Sequence, residues 1–100
     1  MKTSLSYSFV ESIPLELEDG VLYITIEYKT AVHLCACGCG NKVITPINPN
    51  FWELTFNGRS ITLFPSIGNR SFECKSHYWI RENQIIQASY WSEEKLDFED

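Results

Sequence analysis

Cysteines form the clearest chemical pattern in the chain, because three of them fall within five residues and a fourth lies far downstream. The first three alternate with small residues in the segment HLCACGCG (residues 33–40), and the fourth opens the segment CKSH (residues 74–77). The glycines of the first segment allow the backbone to fold back, so that several thiolates converge on one point. Sulfur and nitrogen ligands from two distant segments are typical of a tetrahedral zinc site. The pattern therefore predicts one bound zinc ion.

The same residues allow more than one set of ligands. The simplest is a closed structural site of four thiolates, from Cys35, Cys37, Cys39 and Cys74. An alternative replaces one cysteine with His77, because Cys-x-x-His is a common two-ligand turn. With only three protein ligands, water would complete the coordination and the metal would be catalytic. An iron–sulfur cluster needs the same number of ligands, and reduced thiols without a metal are a further reading.

A serine nucleophile is the second chemistry that the residues allow. Ser66 follows a strand-like run and enters a glycine-containing turn, a context that exposes a hydroxyl for activation by a histidine. His33 and His77 are the two histidines of the chain. If the four cysteines hold the metal, both histidines remain for such chemistry.

Ser76 precedes His77 directly, but neighbours on an extended strand point to opposite faces. Ser66 is therefore the better partner for His77, and Ser71 is a further candidate. Asn69 could orient a histidine or stabilise an oxyanion, whereas no carboxylate is clearly placed as the third member of a triad.

Composition limits the partners and the compartment. The 100 residues carry a net charge of −5, and an acidic surface repels phosphate backbones, so nucleic acid is not expected as a partner. The N-terminal residues contain no apolar stretch that resembles a signal peptide or a membrane span. We therefore expect a cytoplasmic protein with no membrane partner, in which reduced cysteines bind metal rather than form disulfides.

Short strands separated by turns must position these residues. We expect residues 1–100 to form a single, mostly β domain that is stapled by zinc. Its fold would be an antiparallel sheet or small barrel with few or no helices. Asn57-Gly58 and Glu82-Asn83 predict two hairpins, the first with a type I′ turn. Helix evidence is weak: residues 9–17 could form one short helix and residues 91–100 another, and residues 92–100 form an acidic tail. The predicted strands, six or seven in all, include residues 21–28, 42–47, 52–56, 59–64, 77–81 and a last run that starts at residue 84.

Two long motifs resemble a known family. They are H-x-C-x-C-G-C-G, at residues 33–40, and S-I-G-N-x-S-F-x-C-x-S-H-Y-W-I, at residues 66–80. Together with the surrounding residues, from about 9 to 91, they resemble the BubE-type proteins of bacterial ubiquitination-like operons. The chain departs from the family pattern at Arg70, where the family usually has tryptophan.

The resemblance implies a deubiquitinase-like peptidase that processes a ubiquitin-like protein or removes it from conjugates, with a part in antiphage defence. It gives the nucleophile's role to Ser66 or Ser76 and the base's role to His77, while the cysteines hold zinc. The implied partners are the ubiquitin-like protein, its conjugates, and its E1-like and E2-like enzymes. Two alternatives stay open: a zinc-stabilised binding module without catalysis, and a zinc-dependent hydrolase with an open coordination site.

Overall fold

The computed structural model describes residues 2–69 and 72–88 of the chain, and these parts are built from strands and turns. No helix lies within them, and none of their residues forms a helix that is long and apolar enough to cross a membrane. The strands of the described parts are β1 (Ser6–Phe9), β2 (Val21–Thr25), β3 (Thr30–Leu34), β4 (Lys42–Pro46), β5 (Glu53–Phe56), β6 (Ile61–Gly68), β7 (His77–Arg81) and β8 (Gln84–Gln87).

The strands form two four-stranded sheets, ordered β1-β2-β3-β4 and β5-β6-β7-β8. All neighbours are antiparallel except β1 and β2, which run parallel. Single bridges join the sheets at two edges, one between Ser4 and Gln84 and the other between Ile47 and Trp52. The expectation of a mostly β fold with few or no helices is confirmed for the described residues.

Apolar side chains from both sheets form one hydrophobic core, which lies between the sheets because each sheet turns an apolar face inward. Tyr78 on β7 is fully buried there. Its hydroxyl oxygen accepts a hydrogen bond from the Ala36 backbone N–H at 3.3 Å and lies 2.7 Å from His33 Nε2 on β3. This polar contact joins β3 of one sheet to β7 of the other through the buried His33.

Burial explains the neutral state of His33, because loss of solvent lowers its pKa to about 4. The other ring nitrogen, Nδ1, is buried and has no hydrogen-bond partner among the described residues. Tyr78 therefore provides the polar contact that offsets part of the cost of burying His33.

The two predicted hairpins differ in their turns. Glu82 and Asn83 both adopt positive φ, 48° and 69°, and join β7 to β8 as a two-residue turn. At Asn57-Gly58 the turn is longer than predicted, because β5 and β6 first pair at Phe56 and Ile61. The side-chain oxygen of Asn57 accepts hydrogen bonds from the backbone N–H groups of residues 59 and 60, which stabilises the longer loop.

Three other predictions about elements were wrong or incomplete. The predicted strand over residues 21–28 ends at Thr25, because the chain reverses through a turn in which Lys29 has φ 52°. Residues 9–17 form no helix: Phe9 is the last residue of β1, and the residues that follow are bends and irregular backbone. Strands β1 and β3 were not predicted. Residues 91–100, with the predicted C-terminal helix and acidic tail, lie outside the described residues.

We expect Tyr78→Phe to destabilise the fold by about 1–3 kcal/mol, because it leaves His33 Nε2 and the Ala36 N–H buried without a partner. Urea unfolding followed by fluorescence measures this change. Tyr28→Phe is the matched control, since Tyr28 is exposed and the same hydroxyl is lost there. Equal stability of the two variants would contradict the role given to the Tyr78 hydroxyl.

Candidate active site and metal centre

The four cysteines meet in one cluster at the end of β3 and in the loop before β7. Their sulfur atoms all lie within 4.8 Å of one another. The separations are 3.5 Å from Cys35 to Cys37, 3.7 Å from Cys35 to Cys74 and 3.8 Å from Cys39 to Cys74. A tetrahedral ion with metal–sulfur bonds of about 2.3 Å requires sulfur atoms about 3.8 Å apart, whereas a disulfide requires about 2.05 Å. The cluster therefore has the dimensions of a metal site with four sulfur ligands.

Tight turns bring these sulfur atoms together. After β3 the chain turns back at Gly38 and Gly40, whose φ angles of 94° and 87° suit glycine, and the Gly38 N–H donates to the Cys35 carbonyl at 3.1 Å. On the other segment, Lys75 adopts φ 47° directly after Cys74, within a turn closed by its backbone N–H. The glycine-rich motif thus has the conformational role that its sequence predicts.

The thiols differ in acidity. Burial raises the pKa of Cys35 and raises that of Cys37 to about 12. The backbone N–H of residue 41 lowers the pKa of Cys39. Burial alone would raise the pKa of Cys74, but hydrogen bonds from Ser76 and from neighbouring thiols lower it to about 6. Without a cation, such a group holds few thiolates at neutral pH, so binding of a metal ion must release protons.

Ser66 and His77 face each other on β6 and β7, with Ser66 Oγ 2.8 Å from His77 Nε2. Both are nearly buried, at 4% and 5% exposure. The pairing of β6 with β7 is irregular here, since Leu63 pairs with Ile80 but Ile67 pairs with Tyr78. Extra residues on β6 interrupt the strict alternation of faces, as is common beside functional sites. A hydroxyl held against an imidazole nitrogen in this way can lose its proton to the ring.

Trp52 supports the strand that carries Ser66. Its indole N–H donates to the carbonyl oxygens of Pro65 and Ser66, at 3.1 and 3.3 Å. Trp52 and Tyr78 are the two supporting side chains that the sequence alone did not reveal. Each acts through contacts between residues far apart in the chain, for which no local pattern exists.

Ser76 lies between the cysteine cluster and His77. Its hydroxyl accepts a hydrogen bond from Asn69 Nδ2 at 2.9 Å and lies 3.1 Å from Cys35 Sγ. The Asn69 amide also lies 3.6 Å from Cys35 Sγ, and the Asn69 side chain forms a hydrogen bond with Tyr78. The structure thus pairs His77 with Ser66, while Ser76 and Asn69 contact the sulfur atoms.

The remaining candidates lie elsewhere. His33 lies on β3, where its Nε2 contacts the Tyr78 hydroxyl rather than a serine. Ser71 and Arg70 lie outside the described residues. The group of potential metal ligands found in the described residues consists of the four cysteines and includes neither histidine.

Comparison with protein families matches residues 9–88 to the family described as "Bacterial ubiquitination-like system serine protease (BubE)". The match covers both the cysteine cluster and the pair of Ser66 and His77. Neither the comparison with curated proteins nor the comparison with solved structures gave a match.

We expect Co²⁺ to bind at one ion per chain, with the intense visible and near-ultraviolet absorption of a tetrahedral cobalt–thiolate site. Replacing a ligand sulfur, as in Cys37→Ser, should weaken or abolish this absorption. His77→Gln and His33→Gln are the matched controls and should leave it unchanged, because neither histidine belongs to the cluster. A changed spectrum in His77→Gln would identify that histidine as a ligand and contradict the assignment.

Proposed function

Because the chain belongs to the family of bacterial ubiquitination-like system serine proteases (BubE), we propose that it is a peptidase that processes a ubiquitin-like protein or removes it from conjugates. The observation that carries the proposal is the contact of 2.8 Å between Ser66 Oγ and His77 Nε2. Ser66 is the nucleophile and His77 the general base. Ser76 is the weaker candidate for the nucleophile, since its hydroxyl is engaged by Asn69 and Cys35.

The proposed reaction follows the acyl-transfer route of serine peptidases. Ser66 Oγ attacks the substrate carbonyl while His77 Nε2 takes the hydroxyl proton. The same proton then passes to the leaving amine as the carbon–nitrogen bond breaks, which leaves an ester on Ser66. Water, deprotonated by His77, hydrolyses the ester and restores the hydroxyl.

Backbone N–H groups beside Ser66 are the proposed donors to the oxyanion. Asn69 is a less direct candidate, because its side-chain amide already donates to Ser76 and approaches Cys35. An amide in that position supports the loop that precedes His77 and could reach an oxyanion only after breaking these contacts.

Zinc is the proposed metal, held by Cys35, Cys37, Cys39 and Cys74 in a closed structural site. Zinc suits four thiolates in a tetrahedron, and sulfur atoms within 4.8 Å of one another enclose a single ion rather than a cluster of several irons. The ion would supply a cross-link between two remote segments. The reducing environment of a cytoplasm would keep the thiols available to it.

A binding module without catalysis is the second candidate function. The near-complete burial of Ser66 and His77 favours it, because a substrate carbonyl reaches Ser66 Oγ only after neighbouring atoms are displaced. Such a module would bind the ubiquitin-like protein or its E1-like and E2-like enzymes. A zinc hydrolase is less well supported, because four sulfur ligands leave no open position on the metal.

We expect Ser66→Ala and His77→Gln each to reduce cleavage of a C-terminally extended ubiquitin-like protein by on the order of 10³-fold or more. The measurement is the initial rate on the purified substrate, with bound metal determined in parallel. Ser12→Ala, at an exposed serine, is the control and should cleave normally. Ser76→Ala should retain cleavage. The outcome that defeats the peptidase proposal is stable binding of the substrate without cleavage by the unaltered protein.

Removal of the metal by a strong chelator should lower the thermal unfolding temperature and abolish cleavage in the same concentration range. The cluster cross-links the residues next to His77, so structure and activity should be lost together. Circular dichroism and the cleavage assay, read on the same samples, test this expectation. Loss of activity from a fully folded protein, with Ser66 dispensable, would instead indicate metal-dependent hydrolysis.

A further inference from the structure

A cavity of about 530 Å³ opens beside β5, between the loop over residues 47–52 and the middle of β6. This volume lies in the range of pockets that bind ligands. Its walls are mostly apolar, and Glu53 is the one charged residue among the described residues that line it. The apolar walls include Phe51, Trp52, Leu54, Phe64 and Pro65.

The cavity is continuous with the strand that carries the proposed nucleophile. Pro65 lines the cavity and directly precedes Ser66. Trp52 also lines it, and its indole N–H holds the carbonyl oxygens of Pro65 and Ser66. Neither Ser66 nor His77 lines the cavity, so the cavity is linked to the nucleophile through the backbone of β6 that Trp52 holds. A side chain bound in the cavity would lie beside this backbone and would belong to a substrate residue at some remove from the bond that Ser66 attacks.

The neighbouring edge of the sheet can receive an extended peptide. β5 is the first strand in its sheet, and among the described residues its other edge carries only the single bridge between Ile47 and Trp52, the residue before β5. A peptide that adds to such an edge places alternate side chains on each face, where pockets select among them. Phe51 and Phe64, at 55% and 58% exposure, present apolar surface to such a peptide.

The charge at the cavity further limits which substrates it would bind. Glu53 stands at the cavity without a basic residue among its described lining, and the whole chain carries a net charge of −5. A substrate strand with a lysine or arginine near its apolar side chain complements this surface.

We propose that the cavity is the specificity pocket of the peptidase, and this inference rests on the proposed function. It takes a bulky apolar side chain from an extended substrate strand added to β5, and Glu53 pairs with a lysine or arginine close to that side chain. The extended tail of a ubiquitin-like protein would be selected by these two features.

Short peptides with a fluorogenic C-terminal amide test the pocket directly. In a set varied at one position at a time, one position should favour leucine or phenylalanine over glycine by at least about tenfold in kcat/KM. Phe51→Ala and Phe64→Ala should reduce this preference, whereas Ile86→Ala, at an exposed apolar residue of β8, should not. Glu53→Lys should reverse the preference between lysine and glutamate nearby, and the exposed Glu16→Lys is its control.

A small fluorophosphonate that labels reactive serines separates the two proposals. Every cavity variant should still be labelled at Ser66, which also shows that the variant is folded. The unaltered protein could be labelled and cleave peptides without any side-chain preference, or with a preference that Phe51→Ala leaves intact. Either result would overturn only the inference about the cavity. Absence of both labelling and cleavage in the unaltered protein would overturn the proposed function together with the pocket.

Discussion

The meeting of two remote segments at the cysteine cluster is the constraint on which the candidate site depends. Cys35 and Cys74 are far apart in the chain, yet their sulfur atoms lie 3.7 Å apart. Ser76 contacts Cys35, and His77 is the next residue and the first of β7. The cysteine cluster therefore sets the position of the His77 imidazole. A small domain buries too little apolar surface to fix such loops by packing alone, and four metal–ligand bonds can replace that missing packing.

The other half of the pair is positioned by the sheet rather than by the cluster. Ser66 lies where β6 has extra residues relative to β7, and Trp52 holds the adjacent carbonyl oxygens. β6 has two more residues than β7 between the pair of Leu63 with Ile80 and the pair of Ile67 with Tyr78. In the shifted register Gly68 pairs with His77, and Ser66 lies two residues before Gly68. The register shift therefore decides which residues of β6 lie beside His77. The cysteine cluster thus positions His77, whereas the irregular register of β6 positions Ser66, and each has its own supporting contacts.

The sequence predicted the cysteine cluster and the mostly β fold, because ligand spacing and strand patterns are local features. The Glu82-Asn83 turn was predictable for the same reason. The turn after Asn57 was not, because the side chain of Asn57 competes with the expected geometry by capping a longer loop. Strand β1 was missed because its parallel partner lies beyond an irregular segment. Strand β3 was missed since it is short and runs directly into the cysteine motif. The contact between His33 and Tyr78 was not predictable, because it depends on the packing of one sheet on the other.

The two histidines illustrate how the same residue type takes separate tasks in one small core. His33 is buried with its pKa lowered to about 4, so it stays neutral, and its Nε2 lies 2.7 Å from the Tyr78 hydroxyl. His77 lies against a hydroxyl that can lose a proton to it. Because the group of potential metal ligands in the described residues consists of cysteines alone, it takes in neither imidazole. In an all-cysteine site the sulfur atoms would hold the metal, and the imidazole of His77 would stay available for proton transfer. This separation makes a serine mechanism compatible with a metal only a few residues away.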